Sequence, residues 1–252
     1  MYHLLLSSGR TGTTFLTDAI NFFCPAVRVL QEPIPSRTIY MLANAADHGF
    51  PTRKAARVLH WFSQQVWQRF PGENTIEVNP FVSPIAHLLK PTRNIAKVLM
   101  MVRHPDFWID SMLAFKGYAW RAKVTPYLPF VYSRPVEARL IWRDLSEEEK
   151  FAWRWVEINR NILECAHNGF DMLIIRYEDL FGAEGVDFSV LRNILDFYGF
   201  KEDIPLGAEH AYRFRKNPSS RTGDTSWYVR KPELKPAVGA ITGPMRRQFG
   251  YE

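Results

Sequence analysis

The stretch "YHLLLSSGRTGTTFLTDAI" (2–20) decides the fold. Its apolar start, 2–6, has the composition of a short buried strand, and a helical pattern runs from Gly12 to Phe23. Between them lies a loop of serine, glycine, arginine and threonine. A strand–loop–helix turn gathers backbone N–H groups and the positive end of a helix at one point, where glycines let the backbone approach an anion. The stretch therefore predicts a phosphate-binding loop at the start of an α/β domain.

Strands and helices alternate along the rest of the chain. Further strands are predicted at 27–30, 75–78, 97–103 and 172–177, and helices at 53–70, from 105 to about 115, at 146–166 and at 188–199. The fourth strand, "KVLMMVR" (97–103), is almost unbroken in its apolar character, which is typical of a buried parallel strand. We expect a single domain over 1–252, built on a central, mostly parallel five-stranded sheet flanked by helices.

Two segments have no clean period. The stretch 117–146 mixes aromatic residues with arginines, which suits a flap over a bound acceptor, or a surface loop packed by its own aromatic rings. The tail, 205–252, is polar and rich in Gly and Pro, so we expect an irregular C-terminal segment there.

Composition bounds the function without naming it. The chain carries a net charge of +6 with a pI near 9.3, which favours an anionic ligand. Cys24 and Cys165 lie among apolar residues at helical positions and are predicted to be buried free thiols. The sequence contains no apolar run long enough for a membrane span and lacks the basic start of a signal peptide. These features together predict a cytoplasmic protein.

The loop differs from the common ATP- and GTP-binding loop. Gly12 is followed by Thr13 instead of Lys, and the basic residue, Arg10, comes two places before the glycine. The fourth strand ends in Arg103, whereas a magnesium-dependent enzyme needs an acidic group to support its metal. We therefore expect side-chain cations, and no metal, to neutralise the bound anion. An ordinary Gly/Thr turn is the alternative interpretation of the loop alone.

Taken together, several motifs resemble the sulfotransferases that use 3′-phosphoadenosine 5′-phosphosulfate. The loop fits S-x-x-[K/R]-[S/T]-G-[T/S]-[T/S], the family's 5′-phosphosulfate loop. The other similar stretches are, in the family's order, "MMVRHPDFWIDSMLA" (100–114), "FAWRWVEINRNIL" (151–163), "MLIIRYEDL" (172–180) and "RTGDTSWYV" (221–229). The likeness extends from residue 4 to about 229, and it implies a single α/β domain with a central parallel sheet.

The resemblance also implies roles for individual residues. Arg103 and Ser111 have the spacing of the family's 3′-phosphate site, and the late Arg-x-Gly loop closes over the nucleotide. The implied set that binds 3′-phosphoadenosine 5′-phosphosulfate, or its product adenosine 3′,5′-bisphosphate, is Arg10, Thr11, Gly12, Thr13, Thr14, Arg103, Ser111, Arg221, Thr222 and Gly223.

The sequence departs from the cytosolic small-molecule branch of that family at two places. Arg10 stands where that branch has Lys. Carbohydrate-modifying members of the family often have Arg at this place, which favours a sugar or glycan acceptor. We assign Arg10 to electrostatic stabilisation of the leaving phosphate, because its guanidinium contacts two oxygens at once and stays protonated. Thr222 replaces a Lys in the late loop, so the charge there falls to Arg221, with Arg215 and Lys216 as possible substitutes.

The general base is predicted to be a carboxylate, since no His ends the third strand. Glu32 directly follows the second strand, at the carboxyl end of the sheet where α/β sites lie. The alternative is that Glu32 is a solvated loop residue or pairs with Arg37. Glu77 is the second candidate for the base.

The sequence thus predicts a sulfotransferase acting on an acceptor hydroxyl of a small molecule or, favoured by Arg10, a carbohydrate or glycoconjugate, with no nucleic-acid partner. Two other classes stay open: a small-molecule kinase with a variant phosphate loop, and a non-catalytic protein that binds anions or glycans. The oligomeric state is not indicated by the sequence.

Overall fold

The computed structural model describes residues 1–33, 36–47, 74–91, 95–115, 135–138, 140–182, 185–200 and 234–251. The strands of the main sheet are β1 (Tyr2–Ser7), β2 (Arg28–Gln31), β3 (Thr75–Val78), β4 (Ile95–Val102) and β5 (Asp171–Arg176). All five run parallel in the order β2-β3-β1-β4-β5. The predicted α/β fold with a five-stranded parallel sheet is confirmed.

Helices cover both faces of the sheet. They are α1 (Thr13–Phe23), α2 (Ser36–Asp47), α3 (Pro105–Leu113), α4 (Glu147–His167), α5 (Tyr177–Leu180), α6 (Phe188–Tyr198) and α7 (Pro236–Gln248), with short 3-10 turns at Ser83–Leu88 and Val136–Ala138. A two-stranded antiparallel ribbon, β6 (Phe181–Gly182) and β7 (Gly185–Val186), follows α5.

The central strands β1 and β4 are mostly apolar because both of their faces are buried. In β1, Leu4 and Leu6 point into the core beneath α4, whereas Leu5 joins the core on the opposite face with α1 and α6. All three side chains are fully buried.

The longest helix begins where its sequence predicts. Ser146 Oγ accepts from the Glu149 N–H, and the Glu149 carboxylate accepts from the Ser146 N–H, so the two residues form a capping box. The apolar stripe of α4 is buried and consists of Phe151, Trp155, Ile158, Ile162 and Cys165. Cys24 and Cys165 are both buried and free, as expected.

The prediction of irregular structure over 205–252 is wrong for Pro236–Gln248, which forms α7. Pro236 occupies the first turn, where a missing N–H costs no hydrogen bond. Val238, Thr242 and Met245 are buried, and burial outweighs the poor helix propensity of the glycines and Pro244 in this segment. Helix α2 was not predicted from the sequence.

Several predicted features lie outside the described residues. They are the helix at 53–70, most of the 117–146 segment, and the late loop with Arg221, Thr222 and Gly223. Within the part of the chain that the structure describes, no helix is both long enough and apolar enough to cross a bilayer.

Candidate functional site

The carboxyl ends of all five strands meet at one edge of the sheet, because the strands are parallel. The loop 8–12 follows β1, Glu32 follows β2, Asn79 follows β3, Arg103 follows β4 and Tyr177 follows β5. The chain leaves β1 toward β2 and β3, but leaves β4 toward β5, so the strand order reverses between β1 and β4. Ligands of open α/β sheets bind at such a switch point.

Two arginines and a serine converge at this switch point. Arg103 donates from Nη1 to the backbone oxygen of Arg10 at 3.1 Å, and Arg10 donates from Nε to Ser111 Oγ at 3.2 Å. Ser111 is 7% exposed and lies on α3, one element beyond Arg103. The structure therefore brings together Arg10, Arg103 and Ser111, which are up to 101 residues apart in sequence.

The positive charges of this cluster oppose each other. Burial lowers the pKa of Arg10, and the nearby charge of Arg103 lowers it further. The guanidinium of Arg103 also lies over the Tyr177 ring, at 4.4 Å from the ring centre. An anion between the two arginines would offset their repulsion and their loss of hydration.

The loop itself has the geometry of an anion cradle. Gly9 and Gly12 have φ values of 78° and 80°, and α1 begins directly after Gly12, so the N–H groups of its first turn and its positive end face the loop. Thr13 and Thr14 form the first turn of this helix. A Cβ on Gly12 would lie 2.5 Å from the Phe181 ring, which leaves no room for a side chain.

Two hydroxyls in the loop are buried without a partner among the described residues. Among the hydrogen bonds of the described residues, Ser8 Oγ and Thr11 Oγ1 have none, although both atoms are inaccessible to solvent. Thr11 is fully buried. An unpaired buried hydroxyl costs free energy unless a ligand or another group satisfies it, so these atoms fit a site that binds a polar group.

Glu32 lies on the other side of β1 and is held in a strained turn. Its N–H donates to Val78 O at 3.0 Å, and its φ is 47°. Just before it, Gln31 Nε2 donates to Thr14 Oγ1 at 3.2 Å, which ties the end of β2 to the first turn of α1. Partial burial raises the pKa of Glu32 above its usual range, and Arg37 partly opposes this shift.

Backbone strain marks the two residues predicted to be catalytic. Within the described residues, Arg10 (φ 56°) and Glu32 (φ 47°) are the non-glycine residues in the left-handed region. Each such residue costs about 1–3 kcal/mol and persists only where the surroundings enforce it, commonly at functional sites. The strained backbone therefore favours a functional role for Arg10 and Glu32 over that of ordinary loop residues.

Glu77, the second candidate for the base, is placed in the core. It is 2% exposed, and its two oxygens accept from the Tyr2 hydroxyl and from Asn79 Nδ2. Asn79 Nδ2 also lies 2.7 Å from Ser36 Oγ at the start of α2. The network joins the ends of β3 and α2 and supports the turn that carries Glu32.

Some contacts of the site were not predicted from the sequence. Trp108 Nε1 donates to Gly9 O at 2.8 Å and fixes the loop from α3. Tyr177 could have been found, because it directly follows a strand at the carboxyl edge. Trp108 gave no such signal, since an apolar residue on a helix is most often part of the core.

Comparison with known proteins identifies no relative: the sequence matches no family model and no curated protein. Any assignment of function to this site thus depends on its own residues.

Proposed function

We propose that this protein is a sulfotransferase that moves a sulfuryl group from 3′-phosphoadenosine 5′-phosphosulfate to an acceptor hydroxyl. The observation that carries the proposal is the meeting of Arg10, Arg103 and Ser111 beside the first turn of α1. These groups offer two cationic centres and a hydroxyl to a ligand with more than one anionic group. The sequence motifs that resemble sulfotransferases lead to the same residues.

The loop is suited to the 5′ end of the donor. The N–H groups at the start of α1, together with the hydroxyls of Thr13 and Thr14, would bind phosphate oxygens. Arg10 would contact the oxygen that bridges phosphorus and sulfur, where negative charge increases as the bond breaks. Ser8 and Thr11, whose buried hydroxyls have no partner among the described residues, fit the same polar group.

The end of β4 is suited to the 3′-phosphate. Arg103 and Ser111 lie on adjacent segments, and the ring of Tyr177 together with the Arg10 carbonyl holds the guanidinium in place. Ser111 is buried, and its hydroxyl accepts from Arg10 Nε. A phosphate at this position would accept from both side chains.

Glu32 would act as the general base. In the transfer, the bond between sulfur and the bridging oxygen breaks, a bond forms from the acceptor oxygen to sulfur, and the proton of the acceptor hydroxyl passes to Glu32. A carboxylate with a raised pKa is a stronger base than an ordinary glutamate. Its place at the carboxyl edge, across β1 from Arg103, separates it from the cationic pair.

The acceptor that we propose is a carbohydrate or glycoconjugate. One ground is Arg10, because carbohydrate-modifying sulfotransferases often have Arg at this place in the loop. The other is the aromatic and basic composition of 117–146. Planar aromatic faces stack on sugar rings, and arginines bind the carboxylates and sulfates that many glycans carry.

A kinase would need a different type of residue at the end of β4. The strand is followed by Arg103, and the loop after β1 supplies Arg10, so both positions next to the switch point carry positive charge. Phosphoryl transfer instead needs acidic side chains there to hold the metal that bridges the phosphates.

Thermal unfolding in the presence of nucleotides tests the proposal. Adenosine 3′,5′-bisphosphate at about 100 times its Kd should stabilise the protein by about 2.7 kcal/mol, which raises the melting midpoint by roughly 5–10 °C. EDTA should leave the shift unchanged. A larger shift with ATP and magnesium, or a bisphosphate shift that needs magnesium, would reject the sulfotransferase proposal.

A further inference from the structure

The C-terminal end of the described chain contacts the segment that carries Arg103. After α7, Tyr251 donates its hydroxyl hydrogen to Glu178 Oε2 at 2.8 Å. The other oxygen, Glu178 Oε1, accepts from the backbone N–H of His104 at 3.0 Å. One carboxylate therefore bridges Tyr251 and the peptide group directly after Arg103.

Both polar atoms of the peptide group that follows Arg103 are held by side chains. Its carbonyl accepts from Trp155 Nε1 at 3.0 Å, and the next N–H is the one bound to Glu178. Glu178 adjoins Tyr177, whose ring lies under the Arg103 guanidinium. The single turn α5 thus contacts both the side chain of Arg103 and the peptide group that follows it.

A second set of contacts joins α7 to the same place. Arg246 Nη2 lies 3.1 Å from His104 Nε2, and Arg246 Nη1 lies 3.8 Å from Asp106 Oδ1. The rings of Tyr251 and His104 meet edge to face, with their centres 5.0 Å apart. Because Tyr251 is 7% exposed, its hydroxyl hydrogen bond is shielded from water.

We propose that Tyr251 is a positioning residue for the 3′-phosphate, acting through Glu178 on the peptide group that orients Arg103. This inference rests on the proposed function, because the 3′-phosphate is the group that Arg103 would read. Loss of the Tyr251 hydroxyl leaves one oxygen of Glu178 without its donor and lets the carboxylate turn away from the His104 N–H. The direction of the Arg103 side chain is then less strictly defined, and a site held only loosely loses affinity for its anion.

The variant Tyr251→Phe removes the hydroxyl and keeps the ring with its contact to His104. A matched control is Tyr198→Phe. Tyr198 is also buried, and its hydroxyl donates to Leu4 O at 3.0 Å in the core on the opposite face of the sheet. Both variants lose one buried hydroxyl hydrogen bond, so both should lower the melting midpoint, but only Tyr251 contacts the segment with Arg103.

Calorimetry with two nucleotides measures the effect on the site. For Tyr251→Phe we expect the affinity for adenosine 3′,5′-bisphosphate to fall about three- to tenfold, while the affinity for adenosine 5′-phosphate stays within about twofold. Tyr198→Phe should leave the ratio of the two affinities unchanged. In a protein that already carries Arg103→Ala, Tyr251→Phe should not change the ratio further, because its effect passes through Arg103. An unchanged ratio in Tyr251→Phe alone, or an equal loss in both backgrounds, would overturn the inference.

A readout without nucleotide separates failure of this inference from failure of the proposed function. The ¹⁵N resonance of Arg103 Nε, assigned with Arg103→Lys, should shift or broaden in Tyr251→Phe and stay in place in Tyr198→Phe. If the bisphosphate does not bind but this resonance responds, the proposed function is wrong and the positioning contact stands. If the bisphosphate binds but the resonance is the same in both variants, Tyr251 does not position Arg103.

Discussion

On the β4 side of the sheet's carboxyl edge, Arg10 and Arg103 are fixed by contacts with each other and with aromatic rings, whereas on the β2 side Glu32 stands on a single strained turn. Arg103 contacts the Arg10 carbonyl and the Tyr177 ring, and Trp108 fixes the loop at Gly9. Glu32 has one backbone hydrogen bond to Val78 and a φ of 47°. The cationic side is held by several contacts between its own residues, whereas the contact that holds Glu32 is a backbone hydrogen bond.

This difference fits two different tasks. An anion that binds in a fixed register gains from donors that are already in place, because less side-chain freedom is lost on binding. A base must reach a hydroxyl on a variable acceptor and exchange a proton with it, so it needs access more than rigid contacts. We therefore expect substitutions on the cationic side to change nucleotide binding and substitutions at Glu32 to change turnover.

The largest expected effect is that of Glu32→Gln on turnover. The substitution keeps the size and removes the basic group, so turnover should fall by roughly two to four orders of magnitude while nucleotide affinity stays nearly unchanged. A base acts only when deprotonated, so the parent rate should fall as pH drops through the pKa of Glu32, which burial raises. This acidic limb should disappear from the pH–rate profile of the variant. Near-normal turnover with the true acceptor would mean that Glu32 is not the base.

Arg103→Ala should produce the next largest effect. A charge-assisted hydrogen bond contributes about 1.5–3 kcal/mol, so the variant should bind adenosine 3′,5′-bisphosphate about ten to a hundred times more weakly. Adenosine 5′-phosphate, which lacks the 3′ group, should lose far less affinity. Ser111→Ala should show the same selectivity with a smaller loss. Calorimetric titration measures the loss of affinity for each ligand, and equal losses would show that Arg103 does not contact the 3′ position.

Glu77→Gln should affect folding more than catalysis. The amide nitrogen would face a donor, either the Tyr2 hydroxyl or Asn79 Nδ2, inside the core. We expect the free energy of unfolding to fall by about 1–3 kcal/mol, measured with denaturant, and turnover to stay within a few-fold. If the variant keeps its stability and instead loses turnover by a hundredfold or more, Glu77 is the base and the assignment of Glu32 is wrong.

The fold was accessible from the sequence because the strands carry their own signal. β3 matches its predicted bounds, 75–78, and β1, β2, β4 and β5 differ from theirs by one or two residues. Since parallel strands share one carboxyl edge, their order along the chain already placed the loop, Glu32 and Arg103 on the same side of the sheet.

The remaining features depend on contacts between residues far apart in sequence. Helix α7 contains Gly and Pro, so packing decides this helix more than local propensity does. The bond between Tyr251 and Glu178 joins residues 73 apart, and nothing in either neighbourhood indicates it. The same holds for the burial of Glu77, whose partner Tyr2 lies on a different strand.

The division of roles between the two sides is tested most directly by titrating adenosine 3′,5′-bisphosphate, in EDTA, into the parent protein, Arg10→Ala and Glu32→Gln. We predict that the parent binds without metal, that Arg10→Ala binds about ten to a hundred times more weakly because it loses a charge-assisted contact, and that Glu32→Gln binds as the parent does. If binding requires magnesium, or if both variants lose affinity equally, the two sides do not have the separate roles described.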